Sequence, residues 1–339
     1  MMHNSQSQHL RCSAVTAVRA AAMIFSTTFL SLSAMAAPQQ IELADPSIFV
    51  EDGRYVLFGT EPPPQTGFRA YESNDSLTWQ PVDTHDPGYV LKAGSDAFGD
   101  KGFWAPQLFR HKNQYKFAYT ANEQIAIAEG LSATGPFSQP HPFSLSGGLR
   151  QIDPFVFFDD DGSAYLYHVR LNKGNHIFVA QLNEAMDDIK PDTLTHCLSA
   201  LPGSWERTES APKANVVEGP TVIKHQGKYH LFYSANHFKS PDYAVGYAIA
   251  DSPLGPWQRY ENNPILDSRN TGLSGPGHGD AYRDQHNQWF YVFHAHASHS
   301  EVHPRKTWLA PISWQTTDQS GPQVRIEANQ KRPLLFRSP

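Results

Sequence analysis

The sequence predicts an all-β protein, a single five-bladed β-propeller, on three observations. One short phrase recurs five times, as Asp45-Pro46-Ser47-Ile48-Phe49, Ala105-Pro106-Gln107-Leu108-Phe109, Asp153-Pro154-Phe155-Val156-Phe157, Glu218-Gly219-Pro220-Thr221-Val222 and His278-Gly279-Asp280-Ala281-Tyr282. Every copy runs into a turn and then an aromatic-rich strand, which is a hairpin signature. No long 3.6-residue apolar period follows residue 36, while 26 prolines and 23 glycines supply turns for many short strands.

The elements follow in order. The first copy turns at Asp52-Gly53 into Tyr55-Val56-Leu57-Phe58-Gly59-Thr60, and the second repeats it 60 residues later, with Asn113 in the turn and Tyr115 in the place of Tyr55. The third turns at Asp161-Gly162, so the run Asp159-Asp160-Asp161-Gly162 reads as a hairpin turn. The fourth turns at Gln226-Gly227 and the fifth at Asn287. The anchors Pro46, Pro106, Pro154, Pro220 and Asp280 lie 60, 48, 66 and 60 residues apart, with 59 residues after the last. A four-stranded propeller blade takes about 40–50 residues, so each spacing fits one blade plus loops. A second marker, Gly135-Pro136-Phe137 against Gly255-Pro256-Trp257, recurs in two of the units.

Residues 1–36 read as a secretory signal. Arg11 and Arg19 are their only charged side chains, an apolar run spans 20–32, and Ala34-Met35-Ala36 offers a cleavage site. The run is broken by Ser26, Thr27 and Thr28 and is short for a membrane span. The propeller then occupies 37–339, and the expected location is periplasmic or secreted. Cleavage leaves Cys197 as the one thiol, so no internal disulfide is expected. It also takes the formal charge from −6 to −8, which argues against nucleic acid or an anionic membrane as partner.

A repeat that sets acids at equivalent places in separate units gathers them around one axis. In the aligned copies Asp45, Ala105 and Asp153 share a position, and Trp104, Glu218 and His278 each fall one residue earlier. Three acids, a Trp and a His would then meet at one mouth of the channel. Asp before Pro is also a common turn starter. Glu218, between Val217 and Gly219, has no evident local partner.

The motifs Ala44-Asp45-Pro46-Ser47-Ile48, Phe103-Trp104-Ala105-Pro106, Ile152-Asp153-Pro154-Phe155, Val217-Glu218-Gly219-Pro220 and Gly277-His278-Gly279, in this order, resemble those of the glycoside hydrolases of family 43. The resemblance implies an inverting mechanism with Asp45 as general base, Glu218 as general acid, and Asp153 orienting and tuning the acid. An inverting glycosidase needs one carboxylate to activate water and a protonated carboxyl to assist departure of the leaving group. The resemblance also implies a late Arg on the terminal sugar, best matched by Arg305. His278 is implied to lie in the axial channel, beside a structural calcium held mostly by water; the chemistry itself calls for no cofactor. Trp104 and Phe68 are candidate sugar platforms, since sugar faces stack on aromatic rings. His294 and His296 would face one way on a strand, suiting hydrogen bonding or a metal. Gln107 stands where many relatives have an acid.

The expected function is exo-acting release of a terminal pentose, α-L-arabinofuranose or β-D-xylose, from arabinan, arabinoxylan or their oligosaccharides. A galactofuranosidase, an endo-arabinanase and a non-catalytic carbohydrate-binding propeller are the alternatives. A retaining fructan hydrolase, also a five-bladed propeller, is excluded because Ala44-Asp45-Pro46-Ser47 and Glu218-Gly219 depart from its motifs.

Overall fold

The computed structural model describes residues 37–84, 88–94, 96–317 and 321–337; the leader expected in 1–36 lies outside the described residues. Five antiparallel sheets follow one another along the chain. Blade I is built from Ala44–Glu51, Arg54–Thr60, Tyr71–Ser73 and Thr78–Pro81. Blade II has three strands, Trp104–His111, Gln114–Ala121 and Gln124–Gly130. Blade III comprises Gln151–Phe158, Ala164–Leu171, Asn175–Gln181 and Thr195–Leu198. Blade IV comprises Val217–His225, Lys228–Ala235, Ala244–Ala250 and Gln258–Arg259. Blade V comprises Gly277–Arg283, Trp289–Ala295, Lys306–Thr317 and Gly321–Ile326. The first strands touch one another in a closed cycle from blade I round to blade V, which places them innermost.

The middle strands are apolar on both faces because each blade is covered on both sides. Side chains alternate across a strand, and here the alternation deals residues to two neighbouring blades. Phe58 faces blade II while Leu57 faces blade V. Leu166 packs toward blade II and Tyr167 toward blade IV. Leu231 joins blade III and Phe232 joins blade V. Five apolar clusters result, one at each junction between blades. The ring closes through the C-terminal segment: Arg332–Pro333 pairs with blade V, and Leu335–Phe336 pairs with both Gln39–Gln40 and the outer strand of blade I.

Each innermost strand carries a bulge at the equivalent residue. Asp45, Ala105, Asp153, Gly219 and His278 all have left-handed backbones, with φ of 47°, 45°, 57°, 58° and 36°. At each the register with the second strand slips by one residue. The bulge also corrects the sequence alignment: His278 shares the position of Asp45 and Asp153, whereas Glu218 and Trp104 sit one residue before it.

A bulged N–H has no ladder partner, and here the preceding blade supplies one. Ala105 N donates to Thr60 Oγ1 (2.9 Å), Asp153 N to Thr120 Oγ1 (3.0 Å), His278 N to Ser234 Oγ (2.7 Å) and Asp45 N to His294 Nδ1 (3.0 Å). All four acceptors lie near the end of a second strand. Blade III has Val169 there, paired with Ile152 as Thr120 is with Trp104, and Val169 has no oxygen to offer. The Gly219 N–H turns instead to Asp153 Oδ2, at 3.1 Å.

Thr120→Val keeps the shape of a fully buried side chain but orphans the Asp153 N–H. We expect a loss of about 1–3 kcal/mol in denaturant-unfolding stability; an unchanged midpoint would show that the interblade bond contributes nothing.

Candidate active site

The bulges aim five residues at one mouth of the channel. A cleft of about 390 Å³ opens there, lined by Asp45, Trp104, Asp153, Glu218, His278 and Arg305, with Gln65, Asn175, Phe238, Lys239 and His303 around them. Of the residues singled out in the sequence, six therefore meet in one cleft. Phe68 does not. It lies on a short hairpin strand, Gly67–Arg69, inserted in blade I and paired with Tyr89–Lys92. That strand turns its ring into the junction of blades I and II, fully buried against Phe103, Phe117 and Tyr119. Phe68 is a core residue, not a sugar platform.

Asp45 sits in a cationic nest. Its Oδ1 lies 3.1 Å from Arg305 Nη1, 3.3 Å from His278 Nδ1 and 3.4 Å from His294 Nδ1. Its Oδ2 accepts from Thr60 Oγ1 at 2.6 Å. Burial is the largest single influence and would raise this carboxyl; the charges of Arg305, His278 and His294 and the Thr60 hydroxyl together outweigh it, and the carboxyl is held well below the usual range. Asp45 stays ionised.

Asp153 is pushed the other way. Burial raises it to about 7, against the pull of His278, and the charges of Glu218 and Asp45 add to the rise. Its neighbour His278 feels burial downward, but Asp45, Asp153 and Glu218 together raise it above its ordinary value. One ring thus stands between two carboxyls, 3.3 Å from Asp45 and 4.0 Å from Asp153.

Glu218, which has no partner in its own segment, finds two across the fold. Tyr243 Oη donates to its Oε1 at 2.8 Å, and Asn175 Nδ2 donates to its Oε2 at 2.7 Å. Gly219 follows with φ of 58°, and a Cβ there would come within 2.8 Å of the His278 ring. Glycine is required at that point for His278 to reach the acids. Trp104 is half-buried, packed against the apolar cluster between blades III and IV, its indole N–H donating to Gln65 Oε1 at 2.7 Å. Asn175, Tyr243 and Phe238 are site residues that sequence reasoning missed. Asn175 opens the third strand of blade III, Tyr243 directly precedes the third strand of blade IV, and neither carries a motif. Phe238 had one legible signal, an aromatic in the loop just after the second strand of the repeat that carries Glu218.

One step deeper lies a second ring of side chains, Ser47, Gln107, Phe155, Thr221 and Asp280. Both Asp280 oxygens accept hydroxyls, from Ser47 at 2.7 Å and Thr221 at 2.8 Å. The Gln107 amide bonds both backbone groups of Val156. The space between these rings is about 20 Å³, close to what one water needs. It offers calcium no oxygen cage, and among the described residues no three His, Cys, Asp or Glu converge on a point. A cation beside His278 would depend on water for its ligands. His294 and His296 serve hydrogen bonds, the latter to Ser274 and to the Phe238 carbonyl.

A closed ring of five blades with three acids at one mouth, Asp45 of lowered and Asp153 of raised proton affinity, is an arrangement suited to a glycosidase. Residues 39–319 match the model of glycosyl hydrolases family 43, and the chain belongs to that family. Over 88% of this chain and 98% of the other, it superimposes with a TM-score of 0.79 and 35% identity on a Bacteroides thetaiotaomicron protein described as an endo-1,4-β-xylanase. It is similar to a β-D-galactofuranosidase of Aspergillus niger, 26% identical over 74% of this chain and 73% of that protein. A xylosidase/arabinosidase of Humicola insolens is 36% identical over 32% of this chain and 36% of its own.

Burial is the main cause that raises Asp280 to about 6 from 3.8. Between those values the folded state holds a proton that the unfolded state has released, so this contribution is complete below about pH 4 and is lost as pH rises through 6. Asp280→Asn keeps both hydroxyl partners and removes the titration. Relative to the wild type it should gain on the order of 2–3 kcal/mol between pH 4 and pH 7. Unfolding curves across that range check it; a constant difference would refute the buried-acid assignment.

Proposed function

We propose that the protein is an inverting glycosidase that releases a terminal pentose, α-L-arabinofuranose or β-D-xylose, from plant cell-wall polysaccharide or its oligosaccharides. The observation that carries this reading is the division of labour among the carboxyls. Asp45, pinned as an anion by Arg305, is suited to draw a proton from water. Glu218, held by Tyr243 and Asn175 on the far side of His278, is suited to protonate the departing oxygen. Asp153 grips the backbone N–H next to Glu218, which fixes the acid's position, and its own high proton affinity keeps it from acting as a second base. Arg305 and Trp104 would hold the terminal sugar. Exo action is favoured by a cleft walled by loops of several blades and roomy enough for only a few sugar rings. The Aspergillus relative makes a terminal galactofuranose the second substrate to test. An exported enzyme, freed of residues 1–36, suits a polymeric substrate.

Nitrophenyl arabinofuranoside, xyloside and galactofuranoside, beside arabinan and xylan, will identify the sugar. Glu218→Ala should lose about 100- to 10,000-fold on natural linkages while sparing activated phenolate leaving groups, whereas Asp45→Ala should fall by a similar factor on every substrate. Equal losses on both substrate types in Glu218→Ala would remove it as the acid. Proton NMR of the first-formed sugar should show the inverted anomer; a retained anomer would exclude Asp45 as base.

A further inference from the structure

The cleft has a second charge layer that hydrolysis of a neutral pentoside does not use. Its floor is acidic, with Asp45, Asp153 and Glu218, but its rim is lined by His237, Lys239 and His303. These come from two loops joined at Phe238. The Phe238 ring meets His303 edge-on with centroids 6.2 Å apart, stacks on His237 at 4.8 Å, and lies under Lys239 Nζ at 5.7 Å. Several other basic side chains are paired with an acid, as in Lys116–Glu129, Lys224–Asp159 and Lys228–Asp251. Among the described residues Lys239 has no carboxylate partner, and its charge is felt by His303, whose proton affinity burial and then Arg305 and Lys239 lower.

The loop that carries Lys239 is held in place, while the Lys239 side chain itself is exposed. Asn236 Nδ2 ties the loop to Trp205 O at 2.7 Å and to Asp242 O at 3.0 Å. Thr208 and Ser210 hydroxyls grip Asp242 Oδ2, and the His296 ring bonds the Phe238 carbonyl. Behind them the fully buried Glu206 is paired with Arg259 at 2.6 Å. Lys239 therefore stands exposed at the cleft rim on an anchored loop, where its charge can meet an anionic group of a bound substrate.

We propose that this rim is a subsite for a sugar carboxylate, so that the preferred substrate carries a uronic acid near the cleaved bond. The proposal rests on the glycosidase reading above, and it adds a chemical class to the substrate. A matched pair of probes tests it: xylo-oligosaccharides bearing glucuronic acid, and the same material after carboxyl reduction. Calorimetric titration of the wild type should favour the acidic member, with the preference vanishing in about 0.5 M salt as an exposed ion pair is screened. Lys239→Ala should lower the acidic-to-neutral ratio of kcat/KM about fivefold, the size expected for one such pair. Lys239→Glu should reverse the preference. Equal affinity for the two members in the wild type, or an equal proportional loss on both in Lys239→Ala, would overturn the proposal. Absence of any glycoside cleavage would fail the glycosidase reading alone, because the titrations report on the rim without catalysis.

Discussion

The site depends on five backbone N–H groups that their own sheets cannot use. A bulge in each innermost strand puts one residue in the left-handed region, a conformation that costs a non-glycine side chain about 1–2 kcal/mol. The return is geometric, because the bulge re-aims the adjacent side chains toward the axis. The N–H so released must still be satisfied in a buried place. Thr60, Thr120, Ser234 and His294 satisfy it from the neighbouring blade, and each such bond fixes the angle between two blades at the radius where the acids meet.

The fifth junction breaks the pattern and gains a function by doing so. With Val169 in the acceptor position, the N–H after Glu218 is left to the Asp153 carboxyl. The same substitution that leaves the backbone without a hydroxyl thus couples two acids of the cleft. It also gives Asp153 structural work that a simple turn cap would not do. A backbone donor favours the charged form, yet burial prevails and keeps its proton affinity high.

Charge is graded along the channel. Deepest lies Asp280, satisfied by two hydroxyls and with its proton affinity raised by burial. Above it His278 is shared between Asp45 and Asp153, and only Asp45 has the guanidinium. Position alone does not separate Asp45 from Asp153, since both occupy the same bulge in their blades. Arg305, reaching in from the fifth blade, makes one of two equivalent aspartates an anion.

Much of this was written in the chain. The five phrases fixed the number of blades and the strand that faces the axis, because a two-residue period and a turn are local properties that survive in the sequence. Asp45, Asp153, Glu218, Trp104 and His278 were legible for the same reason, through motif and repeat position, and Arg305 through the family resemblance alone. The alignment still misplaced His278 by one residue, since a bulge adds a residue without leaving a mark in composition. Phe68 was misjudged because an aromatic on a short inserted strand reads the same whether its ring faces a sugar or a neighbouring blade. Asn175, Tyr243 and Phe238 had to wait for the fold, as they reach the cleft from one third strand and from loops at separations that no local pattern encodes. The sequence by itself determined which acids line the axis. Tertiary structure decided which of them is charged, because that depends on a guanidinium from 260 residues away and on burial that exists only once the ring has closed.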